Sequence, residues 1–132
     1  MEITGYDQML RHANGYFSTA MRAYQKNSVF SDELIFNILT MAIEKYLVGL
    51  LMSVGILPVN HVIKYLLMEV NQHFDIDKTV RQKLEDVDNY LDICSLDEFL
   101  KITPSKEELG KLIEATSQLK IFIYNHVPVE FA

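Results

Sequence analysis

Residues 31–55 constrain this chain more than any other stretch. Ser31 is a good helix N-cap, and Asp32 and Glu33 follow it where acids favour the positive end of a helix dipole. Leu34, Ile35, Ile38, Leu39, Ala42, Ile43, Tyr46, Leu47, Leu50, Leu51 and Val54 then recur at helical steps. A surface helix shows a narrow apolar stripe; this stripe is wide, so it predicts a helix at the centre of a domain. Gly55 is the natural residue to end it, and Ile56-Leu57-Pro58-Val59 makes a tight apolar corner. A chain built on such a helix must surround it with other amphipathic elements.

The flanking sequence supplies them. A first helix is predicted from Tyr6 to Lys26, with Ala13, Tyr16, Phe17, Ala20 and Tyr24 on one face. Ala13 and Ala20 are small enough to let a neighbouring helix approach, and Asn27-Ser28 breaks the pattern. Asn60 is read as the cap of a third helix, from about His61 to Phe74. There Val62, Tyr65, Leu66, Glu69, Val70 and His73 are linked by three- and four-residue steps. Asp77 caps a fourth, with Val80, Leu84, Val87 and Leu91 inward and Lys78, Arg81, Lys83, Glu85, Asp86 and Asp88 solvated. The connection from Leu91 to Pro104 mixes apolar and acidic residues and is expected to pack over the bundle, partly as a short helix. Ser105 and Glu108 form a capping-box pattern before a fifth helix that runs to about Tyr124. Leu109, Leu112, Ile113, Thr116, Leu119 and Ile123 face inward there. Only Ile121–Tyr124 alternates like a strand. The prediction is one all-α domain over residues 1–132, an antiparallel bundle of about five helices joined by short loops.

Composition narrows the function classes. The 132 residues fit one domain, and 49% hydrophobic against 23% charged residues argues against disorder. Twelve basic residues against 18 acidic ones leave a net charge of −6, so broad nucleic-acid binding is not expected, although a local basic groove is compatible with it. Cys94 is the one cysteine, which excludes an intramolecular disulfide and a cysteine-based zinc site and suits a reducing, cytoplasmic setting. Residues 1–7 lack the basic-then-apolar pattern of a signal peptide. The most apolar run, Tyr46–Val59, is shorter than the roughly 18 residues that span a bilayer, so no membrane association is expected.

One ordered set of motifs carries a resemblance. Ala42-Ile-Glu-Lys45 lies in the long apolar helix, Gly55-Ile-Leu-Pro58 forms the corner, and Asn60-His61 opens the next helix. Residues 13–24, Leu84–Tyr90, and Thr103-Pro104 with the helix after them follow the same order. This arrangement resembles the HEPN family of small helical-bundle domains, including its nucleotidyltransferase substrate-binding-like branch. The resemblance implies a homodimer with a cleft that accepts a nucleotide or similar polar anion. It also implies a partner role beside a small nucleotidyltransferase, as in toxin–antitoxin pairs. Ribonucleases of the family carry an Arg, four to six residues, then a His; Arg stabilises phosphate charge and His moves protons. No Arg here has a His at that spacing. Lys120 and His126 have the spacing with Lys in place of Arg, which lacks the bidentate fork. Tyr90-Leu-Asp-Ile-Cys-Ser95 also lacks the Arg-Tyr-Pro of another branch.

The leading expectation is therefore a non-catalytic binding and dimerisation module that needs no cofactor. Its candidate ligand residues are Lys45 and Lys64 for positive charge, with His61 and Tyr90 for hydrogen bonds or stacking. Each has a plainer reading. His61 starts a helix, Glu44 and Lys45 make exposed or inter-helix ion pairs, and Tyr16, Tyr24, Tyr46, Tyr65 and Tyr90 fill the core with hydroxyls at the rim. Two alternatives stand beside it. One is a degenerate ribonuclease toxin using Lys120 and His126. The other is a structural adaptor whose exposed apolar faces, including Met9, Met21, Met41, Met52 and Met68, bind a partner helix. His73-x-Asp75-x-Asp77 reads better as a helix cap than as a metal site, and Asp92 next to Cys94 disfavours a reactive thiolate.

Overall fold

The structure, a computed structural model, describes residues 5–26, 29–91 and 103–128. Its elements are α1 (Tyr6–Gln25), α2 (Asp32–Met52), α3 (Ile63–Val70), α4 (Lys78–Glu85), α5 (Val87–Leu91) and α6 (Lys106–His126). The described residues contain no strand, and Ile121–Tyr124 lies inside α6. The protein is an all-α bundle.

Local chemistry sets most of the helix ends. Ser31 Oγ accepts the Leu34 amide at 3.1 Å, and Asp77 Oδ2 accepts the Thr79 and Val80 amides at 3.1 and 3.3 Å. The Ser105–Glu108 capping box is complete, each side chain accepting the other residue's amide at 3.1 and 3.2 Å. After α2 the Ile56 amide donates to the Leu51 carbonyl and the Gly55 amide to the Met52 carbonyl, both at 3.0 Å. This is a Schellman closure, and Gly55 adopts the positive φ of 84° that it requires.

α1 and α2 run antiparallel and supply the larger part of the core. Leu10, Ala13, Phe17, Ala20 and Ala23 of α1 are buried, as are Ile35, Phe36, Leu39, Ala42, Ile43 and the continuous run from Tyr46 to Met52 in α2. The helices come close at Gly49, where an added Cβ would sit 2.6 Å from Leu10 Cδ2. The Tyr46 hydroxyl donates to Asn14 Oδ1 at 3.3 Å and its ring meets Phe17 edge-on, which satisfies the one polar atom that this large core side chain carries. α6 closes the bundle. The Tyr24 hydroxyl donates to the Lys106 carbonyl at 3.0 Å, and at the other end the Tyr6 hydroxyl donates to the Pro128 carbonyl at 3.4 Å. Leu109, Leu112, Ile113, Thr116, Leu119 and Ile123 are buried, as the pattern predicts. By length and composition α2 is able to cross a bilayer, and 61% of its most apolar window is covered by the rest of the bundle.

Four expectations are corrected. Leu34 and Val54, placed on the buried stripe of α2, are exposed, Leu34 in its first turn and Val54 two residues past its end in the turn that closes on Gly55. The predicted fourth helix is two short helices. It breaks at Asp86, where i to i+3 bonds (Asp86 amide to Lys83 carbonyl, Asn89 amide to Asp86 carbonyl) tighten the chain. The third helix starts at Ile63 rather than His61 and ends at Val70 rather than Phe74. Its buried side is Ile63, Leu66, Leu67 and Val70, and Val62 and Tyr65 are exposed. Asn60 accepts the Val62 amide, one step before the helix, while Asp88 of α5 accepts the Lys64 amide at 2.7 Å. The cap of α3 therefore comes from 24 residues away. The connection over residues 92–102 lies outside the described residues.

Candidate functional site

A shallow groove of about 460 Å³ runs along the outer face of α1, lined by Arg11, His12, Gly15, Tyr16 and Thr19. Helical spacing explains the grouping. His12, Tyr16 and Thr19 are four and three residues apart, Arg11 and Gly15 four apart, so all project from one side. Arg11 Nη2 lies 2.9 Å from Asp7 Oδ2, but both side chains are about half exposed (55% and 48%). Such a surface pair contributes at most about 1 kcal/mol, so it does not keep the guanidinium from an anion. Thr19 Oγ1 donates to the Gly15 carbonyl at 3.0 Å.

Gly15 shapes this groove. A glycine inside a helix costs about 0.5–1 kcal/mol relative to alanine. Packing does not account for it here, because an added Cβ would meet no atom within 4 Å. The missing side chain bares the helix backbone on the groove floor, where a ligand can approach closely. Gly49 and Gly110 differ, since an added Cβ there would strike Leu10 and Tyr24.

The four residues chosen from sequence fall at separate places. Lys45 reaches from α2 toward α1, its Nζ 5.9 Å from the centre of the ring of Tyr16, which lines the groove; Lys45 itself is not a lining residue. His61 precedes α3, with Nδ1 3.7 Å from Glu44 Oε1. Lys64 is exposed on α3. Tyr90 ties α5 to its neighbours: its hydroxyl donates a short hydrogen bond to Glu108 Oε2, and its ring meets Phe36 edge-on at 5.4 Å. Burial and the Glu108 carboxylate push the Tyr90 phenol up to about 12, so it remains a neutral donor. The same bond, with those from Ser105, holds the Glu108 carboxyl below its ordinary range. Among the described residues no hydrogen bond, ion pair or ring contact joins any two of the four.

Lys120 and His126 do not converge either. Six positions along α6 separate them by about 9 Å on the axis and about 120° around it. Lys120 Nζ lies 5.8 Å from the Tyr124 ring centre, and burial lowers its pKa. His126 stacks on Phe122 at 4.0 Å, with Nδ1 2.8 Å from the Phe122 carbonyl oxygen. Among the described residues no group of three or more His, Cys, Asp or Glu side chains could hold a metal ion. Cys94 lies outside the described residues.

A second groove, of about 450 Å³, lies between the corner and α3, lined by Ile56, Asn60, Tyr65, Met68, Glu69, Gln72 and His73. Of the residues that line the α1 groove, only Tyr16 stands out in the sequence. Arg11 and His12 are adjacent, so they lack the four-to-six-residue spacing of the nuclease pair. The helical repeat His12–Tyr16–Thr19 was the available signal, and the approach of Lys45 to Tyr16 needed the fold. No family model, curated protein or solved structure matches the chain.

Proposed function

We propose that this protein is a non-catalytic, HEPN-like binding module that self-associates and holds a phosphate-bearing ligand, a nucleotide in the first instance, in the α1 groove. The observation that carries this reading is that Arg11, His12 and Tyr16 line one groove beside the bared backbone at Gly15, with Lys45 Nζ 5.9 Å from the Tyr16 ring centre, on a chain whose net charge is −6. Against that acidic background a local cationic groove with an aromatic ring selects for anions that carry a base. Arg11 and Lys45 neutralise phosphate charge, His12 and Thr19 add hydrogen bonds, and Tyr16 offers a ring and hydroxyl.

The family reading is supported by the place of its motifs in the bundle. Ala42-x-Glu-Lys45 lies in the central helix, and Gly55-x-x-Pro58 makes the corner that leads into α3. The separation of Lys120 from His126 supports a binding role over RNA cleavage, since the two would have to reach one phosphate. On this reading the protein acts in the cytoplasm beside a nucleotidyltransferase-like partner.

Calorimetric titration with AMP, ADP and ATP tests the site. Saturable binding is expected, weakened at least about tenfold in the Arg11→Ala/Lys45→Ala double variant and unchanged in Lys64→Ala. Absence of binding, or equal affinity in the double variant, removes the assignment. Native mass spectrometry of the protein co-expressed with its neighbouring genes tests the partner. A hetero-complex with a nucleotidyltransferase-like chain is expected, and its absence removes that part of the reading.

A further inference from the structure

The corner after α2 and the outer face of α3 leave several large apolar side chains exposed close together in sequence. Leu57, Val59, Val62, Tyr65 and Met68 are all exposed, Val59 completely and Tyr65 and Met68 by 52% and 55%. Isolated apolar residues on a surface need no explanation, but a contiguous group marks an interaction site. The groove beside it joins corner to helix, since Ile56 and Asn60 line it together with Tyr65, Met68, Glu69, Gln72 and His73.

The charges around this surface specify what covers it. α3 buries Ile63, Leu66, Leu67 and Val70 on its inner side. The opposite side carries Tyr65 and Met68 at the three-residue step of a coiled-coil seam, and Gln72 follows four positions later in the turn after the helix. Lys64 precedes Tyr65 on one flank of that seam, and Glu69 follows Met68 on the other. When two such helices pair in parallel, opposite flanks meet, and a residue on the first flank faces one five positions later in the partner. Lys64 and Glu69 are five positions apart (69 − 64). A twofold axis parallel to α3 thus sets Lys64 of each copy against the partner's Glu69, twice, and sends each lysine toward a groove that holds a carboxylate. An antiparallel pairing would bring like flanks together and face lysine with lysine.

We propose that this chain forms a parallel homodimer through α3, with Tyr65 and Met68 in the seam and reciprocal Lys64–Glu69 pairs at its edges. The inference rests on the self-association in the proposed function and names its surface. A stable interface needs roughly 800 Å² per partner, more than an eight-residue helix presents, so the seam includes Leu57 and Val59 of the corner. The contact is isologous and closes at two copies. Tyr65 and Met68 meeting across the axis add the favourable contact of a thioether with a ring.

Light scattering over a concentration series tests this, with circular dichroism to confirm that each variant is folded. Wild type is expected to be a dimer. Tyr65→Asp, whose side chain lies outside the core, weakens the dimer at least about tenfold. Lys64→Glu and Glu69→Lys each weaken it about fivefold, and the double exchange restores it. A dimer indifferent to Tyr65→Asp shows that self-association uses another surface. Failure of the double exchange to restore what the single ones lose overturns the parallel register. A wild type that stays monomeric at every concentration overturns the self-association itself.

Discussion

Gly49 and Gly15 both interrupt long helices, and they do so for opposite reasons. Gly49 of α2 faces inward, and Leu10 of α1 occupies the space its side chain would need, with Cδ2 and Cγ at 2.6 and 2.8 Å from an added Cβ. Gly15 of α1 faces outward and nothing occupies its space. The first glycine is required by packing, since two helices could not otherwise come so close. The second lowers helix propensity with no packing return, and the surface beside it is the cationic groove. Where packing explains a residue, its role is to hold the fold; where packing leaves it unexplained, a ligand is the better account.

Substitutions sharpen that contrast, beginning with the largest effect. Gly49→Val forces α1 and α2 apart and is expected to cost about 3 kcal/mol in urea unfolding. A loss below about 1 kcal/mol would mean that the seam yields easily and that Gly49 is not fixed by packing. α3 offers the same test on a single helix. Leu67→Ala leaves a cavity and costs about 3 kcal/mol, whereas Tyr65→Ala changes the stability of the monomer by no more than about 0.5 kcal/mol. Equal losses would show that α3 has no free face.

The helix ends with short-range chemistry were legible from the sequence. Ser31, Asp77, Gly55 and the Ser105–Glu108 box each act within a few residues, and the structure uses them as read. α3 was not so legible. Its start depends on Asp88, 24 residues away, so a His61 start and a stripe through Val62, Tyr65 and Glu69 fitted the local pattern equally well. The candidate site divides in the same way. Lys45 was visible as a charge interrupting an apolar helix, but its position over Tyr16 follows from how α1 crosses α2. His61, Lys64 and Tyr90 were chosen by type and family position, and α3, the corner and α6 hold them apart.

Smaller effects separate the remaining roles. Gly15→Ala is expected to stabilise the protein by about 0.5–1 kcal/mol, because the gain in helix propensity meets no clash. A destabilised variant would mean that the outer face of α1 is packed after all. Tyr90→Phe removes the hydrogen bond to Glu108, whose carboxyl then titrates closer to its ordinary value. A lowered carboxyl pKa contributes stability above the unfolded value that is lost as pH falls through the folded one. The variant should therefore show a flatter loss of stability with acid than wild type. The Tyr90 phenol works in the opposite sense: its raised value, about 12, contributes below pH 10, and the contribution is lost from there up to about 12. Identical acid profiles in the two proteins would detach Glu108 from Tyr90.

The most direct measurement is a calorimetric titration of ATP into wild type, Gly15→Ala and Gly15→Gln. If the bared backbone of α1 is a ligand floor, wild type binds saturably. Gly15→Gln then binds at least about tenfold more weakly with an undiminished melting temperature, and Gly15→Ala falls between them. Absence of binding by wild type, or one affinity shared by all three, would contradict the account.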